Sequence, residues 1–110
     1  MIKYEITHFT AETAAFDEKP TTSELSEIVA SIRGYAGGNT VATYDTYNDA
    51  YNAVEHFNTG YNTIQTQTGT RGWLEWCEID AVEYDSDGDI TDITTYDIYY
   101  CNEHHNPPIL

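Results

Sequence analysis

The pattern of residues 73–101 constrains the fold of this chain more than any other feature. Two segments rich in Ile, Val, Thr, Tyr and Trp, residues 73–84 and 90–101, flank the sequence DSDGD at 85–89. β-Branched and aromatic side chains favour strands, whereas a short run of Asp and Gly favours a turn. The pattern therefore predicts one long β-hairpin and, with it, an antiparallel sheet.

The first strand of this hairpin does not keep one apolar parity. Leu74 and Trp76 occupy even positions, whereas Cys77 and Ile79 occupy odd positions. A β-bulge shifts the alternation of a strand by one residue. The change of parity therefore predicts a bulge within residues 73–84.

Shorter strands are predicted at residues 1–9, 40–44 and 61–68 from alternation or from β-branched content. Between them, residues 10–20 are polar and end in Pro20, residues 34–39 contain three Gly, and residues 68–72 have the sequence TGTRG. These compositions predict loops or turns.

Two helices are predicted from capping residues and helical spacing. Thr21 and Glu24 form a capping box before an apolar i, i+3, i+4, i+7 series, and Gly34 follows Arg33 as a stop, which predicts a helix over 21–33. Asp45 or Thr46 can cap a second helix that Gly60 ends. Its apolar positions at helical spacing are Tyr47, Ala50, Tyr51, Val54 and Phe57.

Together these elements predict an α+β fold in which two helices pack on one face of a mostly antiparallel sheet that ends in a long acidic β-hairpin. A length of 110 residues fits a single domain over 1–110. Residues 103–110 contain two Pro and are expected to form a loose tail.

The charge restricts the possible partners. The chain has 19 Asp and Glu against 4 Lys and Arg, a net charge of −15, which opposes direct binding of nucleic acid or an anionic membrane and favours a cationic partner. No apolar run is long enough for a membrane span, and the N-terminus lacks a leader pattern, so we expect a cytoplasmic protein.

The acidic residues concentrate in the predicted hairpin, because no Lys or Arg follows Arg71. Same-face residues of a strand repeat about every 6.7 Å, roughly twice the 3.4 Å spacing of phosphates along one DNA strand. A row of strand carboxylates can therefore imitate phosphates. Alternatively, the acids serve only solubility. The residues predicted to bind the partner are Glu75, Glu78, Asp80, Glu83, Asp85, Asp87, Asp89, Asp92 and Asp97, with help from Asp45, Asp49 and Glu55.

Catalytic and metal sites find little support in the sequence. The DSDGD turn lacks the Gly and Glu positions of an EF-hand loop. A zinc site remains an alternative, with Cys77, Cys101, His104 and His105 as its ligands. Cys101 and His104 have C-x-x-H spacing, but the sequence has no second ligand pair of the C-x-x-C kind. Acidic surroundings disfavour a thiolate at either Cys, and two packed thiols are expected more than a disulfide. We therefore expect no enzyme activity, no cofactor and no metal.

One resemblance adds a mechanism. The segment NTVATYDTYNDAYNAVEHF at 39–57, a strand that leads into a Thr-capped helix, and the later Tyr-rich acidic strand with its D-x-D-G turn resemble small proteins of bacterial mobile elements and phages. In size, charge and tyrosine content the chain is similar to anti-CRISPR and anti-restriction proteins. The resemblance implies an inhibitor that occupies the basic nucleic-acid groove of a Cas effector or restriction enzyme.

A second interpretation belongs to another class. The chain could be a protein-interaction module or homodimer that uses an apolar helix–sheet surface, with its acidity serving solubility. Salt distinguishes the two, since screening weakens a charged interface and leaves an apolar one.

Overall fold

A computed structural model describes residues 1–15, 24, 27–28, 37–101 and 103–105. Strands account for 67% of the described residues and form one six-stranded antiparallel sheet. In chain order the elements are β1 (Ile2–Ala14), β2 (Gly37–Tyr44), α1 (Tyr47–Ala53) with a following 3-10 turn (Val54–His56), β3 (Gly60–Thr66), β4 (Gly69–Tyr84), β5 (Ile90–Tyr100) and β6 (Glu103–His105).

β4 is the central strand of the sheet. One edge pairs with β1 along almost its whole length, from Ile2 opposite Glu83 to Ala14 opposite Arg71. The other edge is shared, because β3 pairs with the beginning of β4 and β5 pairs with its end. β2 continues the sheet beyond β1, and β6 continues it beyond β5.

Both faces of β4 are covered near its middle. Ile79 is buried on the face against which α1 packs, here called the helix face, and Trp76 is buried on the opposite face. The apolar side chains therefore change parity because two cores meet at one strand. The helix-face core contains Ile6, Ala50, Val54, Cys77, Ile79 and Tyr99, and the opposite core contains Ala11, Leu74, Trp76, Ile98 and Tyr100.

The bulge predicted within 73–84 is wrong in its placement. β4 pairs with β1 without a register shift, and its two shifts against β5 lie between Ile79 and Asp80 and between Glu83 and Tyr84. In both cases the extra residue belongs to β5. It is Tyr96 at the first shift and Thr91 at the second. A bulge turns an additional side chain towards one face of the sheet, and at Tyr96 this is the helix face.

The second predicted helix is confirmed as α1 and its 3-10 turn. The Thr46 hydroxyl accepts the Asp49 N–H at 3.2 Å, so Thr46 rather than Asp45 is the N-cap. Ala50 and Val54 are fully buried against the sheet. Helical structure ends at His56, before Gly60.

The predicted fold class of two helices packed on one face is wrong. The described residues form mostly antiparallel sheet with a single short helical segment of 10 residues, Tyr47–His56. The first predicted helix, 21–33, lies outside the described residues except for Glu24, Glu27 and Ile28, whose backbone is helical. Ile28 packs against the opposite core and not against the helix face.

The sheet is also larger than expected. The strands at 1–9 and 40–44 and the long hairpin are confirmed, and the strand predicted at 61–68 is confirmed as far as Thr66, after which residues 67–68 form a turn. The loops predicted at residues 10–14, 37–39 and 69–72 are wrong, because these residues extend β1, β2 and β4. Residues 103–105 pair with β5 instead of beginning a loose tail. Residues 16–20, 34–36 and 106–110 lie outside the described part of the chain.

Candidate functional site

The end of the β4–β5 hairpin, residues 83–92, is the most acidic exposed part of the described structure and is called the hairpin tip below. Glu83 and Asp92 are directly opposite each other on neighbouring strands, on the helix face. Like charges in such a pair destabilise a sheet. The exposed carboxylates of the hairpin tip are Glu83, Asp85, Asp87, Asp89 and Asp92.

Asp85 has a structural role within this tip. Its Oδ1 accepts the N–H groups of Asp87 and Asp89 at 2.9 and 3.0 Å. The backbone closes the same turn, with the Asp85 N–H donating to the Asp89 carbonyl at 2.9 Å. Gly88 has φ +86°, a conformation that other residues adopt only with strain. The turn therefore holds Asp87 and Asp89 in place and leaves their carboxylates exposed.

The basic residues that the structure describes pair with acids elsewhere. Lys3 forms an ion pair with Asp45, and the Arg71 Nε lies 2.9 Å from Glu12 Oε1. Asp45, one of the predicted helpers, is therefore already neutralised. The hairpin tip receives no ion pair from either of these two cations.

Four of the predicted acids are structural. Glu78 is 1% exposed, on the face opposite α1, and Asp97 is 5% exposed on the helix face. The Asp80 carboxylate accepts a hydrogen bond from the Thr95 hydroxyl at 2.8 Å. Glu75 accepts the indole N–H of Trp73 at 2.9 Å and lies 3.6 Å from His8 Nε2. These four side chains are committed to contacts inside the protein.

The two remaining helpers lie on the helical segment. Asp49 is exposed in the first turn of α1, and Glu55 is exposed in the 3-10 turn. Glu55 Oε1 lies 3.6 Å from His104 Nε2. The twelve predicted residues therefore separate into an exposed tip, a structural group and three helpers, of which Asp49 alone has no described ion-pair partner.

An aromatic cluster that the sequence analysis missed lies beside the tip. The rings of Tyr4, Tyr47 and Tyr96 contact one another, with centroid separations of 5.8 to 6.0 Å. Burial and the nearby Asp97 carboxylate raise the pKa of Tyr47. Tyr96 is 48% exposed and reaches this cluster through its bulge. Parity alone does not locate a bulge, so the sequence could not predict that Tyr96 joins Tyr4 and Tyr47.

A small groove joins the aromatic cluster to the two opposed carboxylates. It lies on the helix face and has a volume of about 100 Å³. The lining residues are Ile2, Ala81, Glu83, Asp92, Thr94 and Tyr96.

His104, which the sequence suggested only as a candidate zinc ligand, contacts two of the predicted acids, Asp97 and Glu55. Its Nδ1 hydrogen-bonds the Asp97 carboxylate, and its ring stacks on Tyr51 with centroids 3.7 Å apart. Together with Glu55, these contacts hold β6 against the helical segment. Carboxylates and aromatic rings surround His104, which suits a structural role more than activation of a nucleophile.

The cysteines do not assemble the alternative zinc site. Cys77 packs in the helix-face core and Cys101 packs against the opposite core, and both thiols are free. Burial and Glu75 raise the pKa of Cys77 to about 12, so this thiol is protonated at neutral pH. Within the described residues, no group of three or more His, Cys, Asp or Glu side chains is arranged to hold a metal ion.

Comparisons with known proteins add no family to this geometry. Within the described residues, no helix is long and apolar enough to cross a membrane. No protein-family model matches the sequence, and neither the curated proteins nor the solved structures include a match.

Proposed function

We propose that this chain is an acidic, nucleic-acid-mimicking inhibitor that binds the basic nucleic-acid groove of a defence nuclease. Cas effectors and restriction enzymes are the proposed partners, and the bacterial cytoplasm is the proposed site of action. The observation that carries the proposal is the hairpin tip, where five exposed carboxylates lie beyond both cores and neither Lys3 nor Arg71 pairs with them. The Met1 α-ammonium donates to the Tyr84 carbonyl of the tip at 3.0 Å.

The energetics of the tip support a role outside folding. Glu83 and Asp92 repel each other across the strands, so their charges cost stability and gain nothing from a described ion pair. A cationic partner would offset this repulsion. Dense surface charge of one sign also accelerates association with an oppositely charged protein and makes the rate sensitive to salt.

The geometry supports mimicry of phosphates more narrowly than the sequence predicted. Only the exposed members of the set can meet a partner directly, because Glu78 and Asp97 are buried. The mimic is therefore a compact acidic tip and not a continuous row along β4 and β5. Asp49 adds a further exposed carboxylate on α1.

A charge-removal variant of the tip tests this function. Glu83→Gln, Asp87→Asn, Asp89→Asn and Asp92→Asn are combined, and Asp85 is kept because it holds the turn. The matched control removes the same charge from other exposed positions through Glu12→Gln, Glu24→Gln, Glu27→Gln and Glu103→Gln. Both tagged variants and the wild type are used to capture proteins from cells that express CRISPR and restriction systems, with identification by mass spectrometry.

We expect the wild type and the control to retain a nuclease that the tip variant loses. The complex should dissociate between about 0.1 and 0.5 M NaCl, because salt screens exposed charges. Circular dichroism of the tip variant establishes that it is folded. Equal capture by the tip variant and the wild type would contradict the proposal.

One observation favours the alternative interaction module. Ile90 and Ile93 are 55% and 56% exposed on the face opposite α1, paired with Tyr84 and Val82 of β4. A homodimer could bury these side chains. Sedimentation at several protein concentrations tests it, and a dimer that persists in 1 M NaCl and is lost in Ile93→Ser would support the module.

A further inference from the structure

The groove on the helix face has features that point to one kind of occupant. Its lining combines an apolar floor, two carboxylates and one aromatic wall. Ile2 and Ala81 supply apolar atoms, and Ile2 is 45% exposed although it is a large aliphatic residue. An exposed aliphatic side chain beside two carboxylates suits a ligand that is both apolar and cationic.

The aromatic wall is held in place by its neighbours. The Tyr96 ring lies 6.0 Å from the Tyr4 ring and 5.8 Å from the Tyr47 ring, and α1 positions Tyr47. Tyr96 therefore presents a supported ring to the groove while half of its surface stays exposed. A cation over the face of such a ring is attracted by the negative charge of the π system.

The two carboxylates of the groove lie side by side on neighbouring strands. Glu83 and Asp92 form a directly opposed pair on β4 and β5, so their Cβ atoms lie roughly 4.5–5.5 Å apart. Carboxylates this close can contact one cation together. Lys3 is paired with Asp45 instead, and the Met1 α-ammonium donates to the Tyr84 carbonyl at 3.0 Å.

The size of the groove favours a small occupant. Its volume of about 100 Å³ exceeds the space of one water molecule. It is smaller than the roughly 300–1,000 Å³ of pockets that hold cofactors or metabolites. A single side chain fits this intermediate size.

We propose that the groove binds one arginine side chain of the partner protein. The guanidinium would donate to Glu83 and Asp92, stack on Tyr96, and lay its methylene groups on Ile2 and Ala81. Arginine suits the site better than lysine because its planar group can stack and form paired hydrogen bonds at once. This inference rests on the proposed function, since it identifies the anchor through which the acidic tip meets a basic partner.

The first test uses the full chain and a small probe. N-acetyl-arginine-N-methylamide is titrated into 15N-labelled protein, with the corresponding lysine and citrulline compounds as controls. The arginine compound should cause saturable amide shifts around Ile2, Ala81 and Thr94, with millimolar affinity, and the uncharged citrulline compound should cause none. Equal shifts with lysine would overturn the choice of arginine, and shifts confined to residues 85–89 would overturn the groove.

The second test compares single substitutions against the captured partner. Asp92→Asn removes a carboxylate that lines the groove, and Tyr96→Ala removes the wall, whereas Asp89→Asn makes the same charge change outside the groove. Asp92→Asn and Tyr96→Ala should each weaken binding about tenfold, and Asp89→Asn less than about threefold.

These outcomes separate the two proposals. If Asp89→Asn and Asp92→Asn weaken partner binding equally and Tyr96→Ala has no effect, the groove is wrong while the acidic tip stands. If the fourfold tip variant also binds normally, the proposed function itself fails. Circular dichroism and thermal unfolding of Tyr96→Ala establish that any loss of binding is not a loss of fold.

Discussion

The two ends of the β4–β5 hairpin serve different purposes. At the hairpin base, residues 74–79 of β4 and 97–100 of β5, side chains are buried on both faces, and Trp76 and Ile79 are completely covered. At the hairpin tip every residue from 85 to 92 is exposed, and carboxylates are concentrated there. The same pair of strands therefore passes from two cores into solvent.

The difference shows how the chain tolerates a net charge of −15. Burial of apolar surface contributes roughly 25 cal/mol per Å², and the described cores place this contribution at the hairpin base, against β1 and α1. Charge repulsion at the tip acts where few apolar contacts depend on it. The tip can therefore keep carboxylates in opposed positions that would be too costly within a core.

The largest expected effect is on stability when the hairpin base is truncated. Trp76 is fully buried and stacks on Phe9 with centroids 5.2 Å apart. Trp76→Ala should lower the free energy of unfolding by about 3–5 kcal/mol through lost burial and a cavity. Urea denaturation followed by circular dichroism measures it.

The matched substitution at the tip is Ile90→Ala. Because Ile90 is 55% exposed, the loss should stay within about 0.5 kcal/mol. Comparable losses for the two variants would show that the tip also contributes to the core, and the contrast between the two ends would not hold.

The sequence predicted the kinds of element better than their lengths. The hairpin, three further strands and the Thr46-capped helix follow from local pattern, whereas Gly37–Asn39 was predicted to turn. Gly38 instead lies in β2 opposite Phe9, whose ring would come within 2.5 Å of an added Cβ. A glycine here allows close packing across strands, and a composition rule cannot distinguish that from a turn.

The sequence predicted where the candidate site lies along the chain, but not which of its acids are exposed or which aromatic residue joins them. Position along the chain placed the acids in the hairpin, but burial depends on which faces are covered. Glu78 and Asp97 are buried on opposite faces of the sheet near the hairpin base, and this follows from tertiary packing that one sequence does not reveal. Tyr96 joined the site only through a bulge in β5.

Thiol reactivity is expected to differ between the hairpin base and the hairpin tip. In a Cys101→Ser background the only thiol is Cys77, whose pKa is raised to about 12 by burial and Glu75. In a Cys77→Ala, Cys101→Ser background, Ser86→Cys places a thiol at the exposed tip. Since the thiolate is the reactive form, iodoacetamide at pH 8 should modify Cys77 at least about 100-fold more slowly than the tip thiol.

The pH dependence of the two modification rates provides the control for this experiment. Between pH 7 and 10 the Cys77 rate should keep rising with pH, because a thiol with a raised pKa stays mostly protonated over this range. The tip thiol should level off as it passes its pKa, which the neighbouring Asp85 and Asp87 hold above the value of about 8.5 for an unperturbed cysteine. A Cys77 rate that levels off with the tip thiol would show that the hairpin base opens to solvent as readily as the tip.

A small effect on stability tests the cost of the opposed carboxylates directly. Asp92→Asn removes the repulsion from Glu83 and should raise the free energy of unfolding by up to about 1 kcal/mol at low salt. In 1 M NaCl the gain should largely disappear, because the screening length falls to about 3 Å. The control, Asp49→Asn, should have the opposite sign, since an acid in the first turn stabilises α1 by about 0.3–1 kcal/mol. If Asp92→Asn is destabilising, this carboxylate contributes to the fold, and the hairpin tip cannot be a surface kept acidic only for a partner.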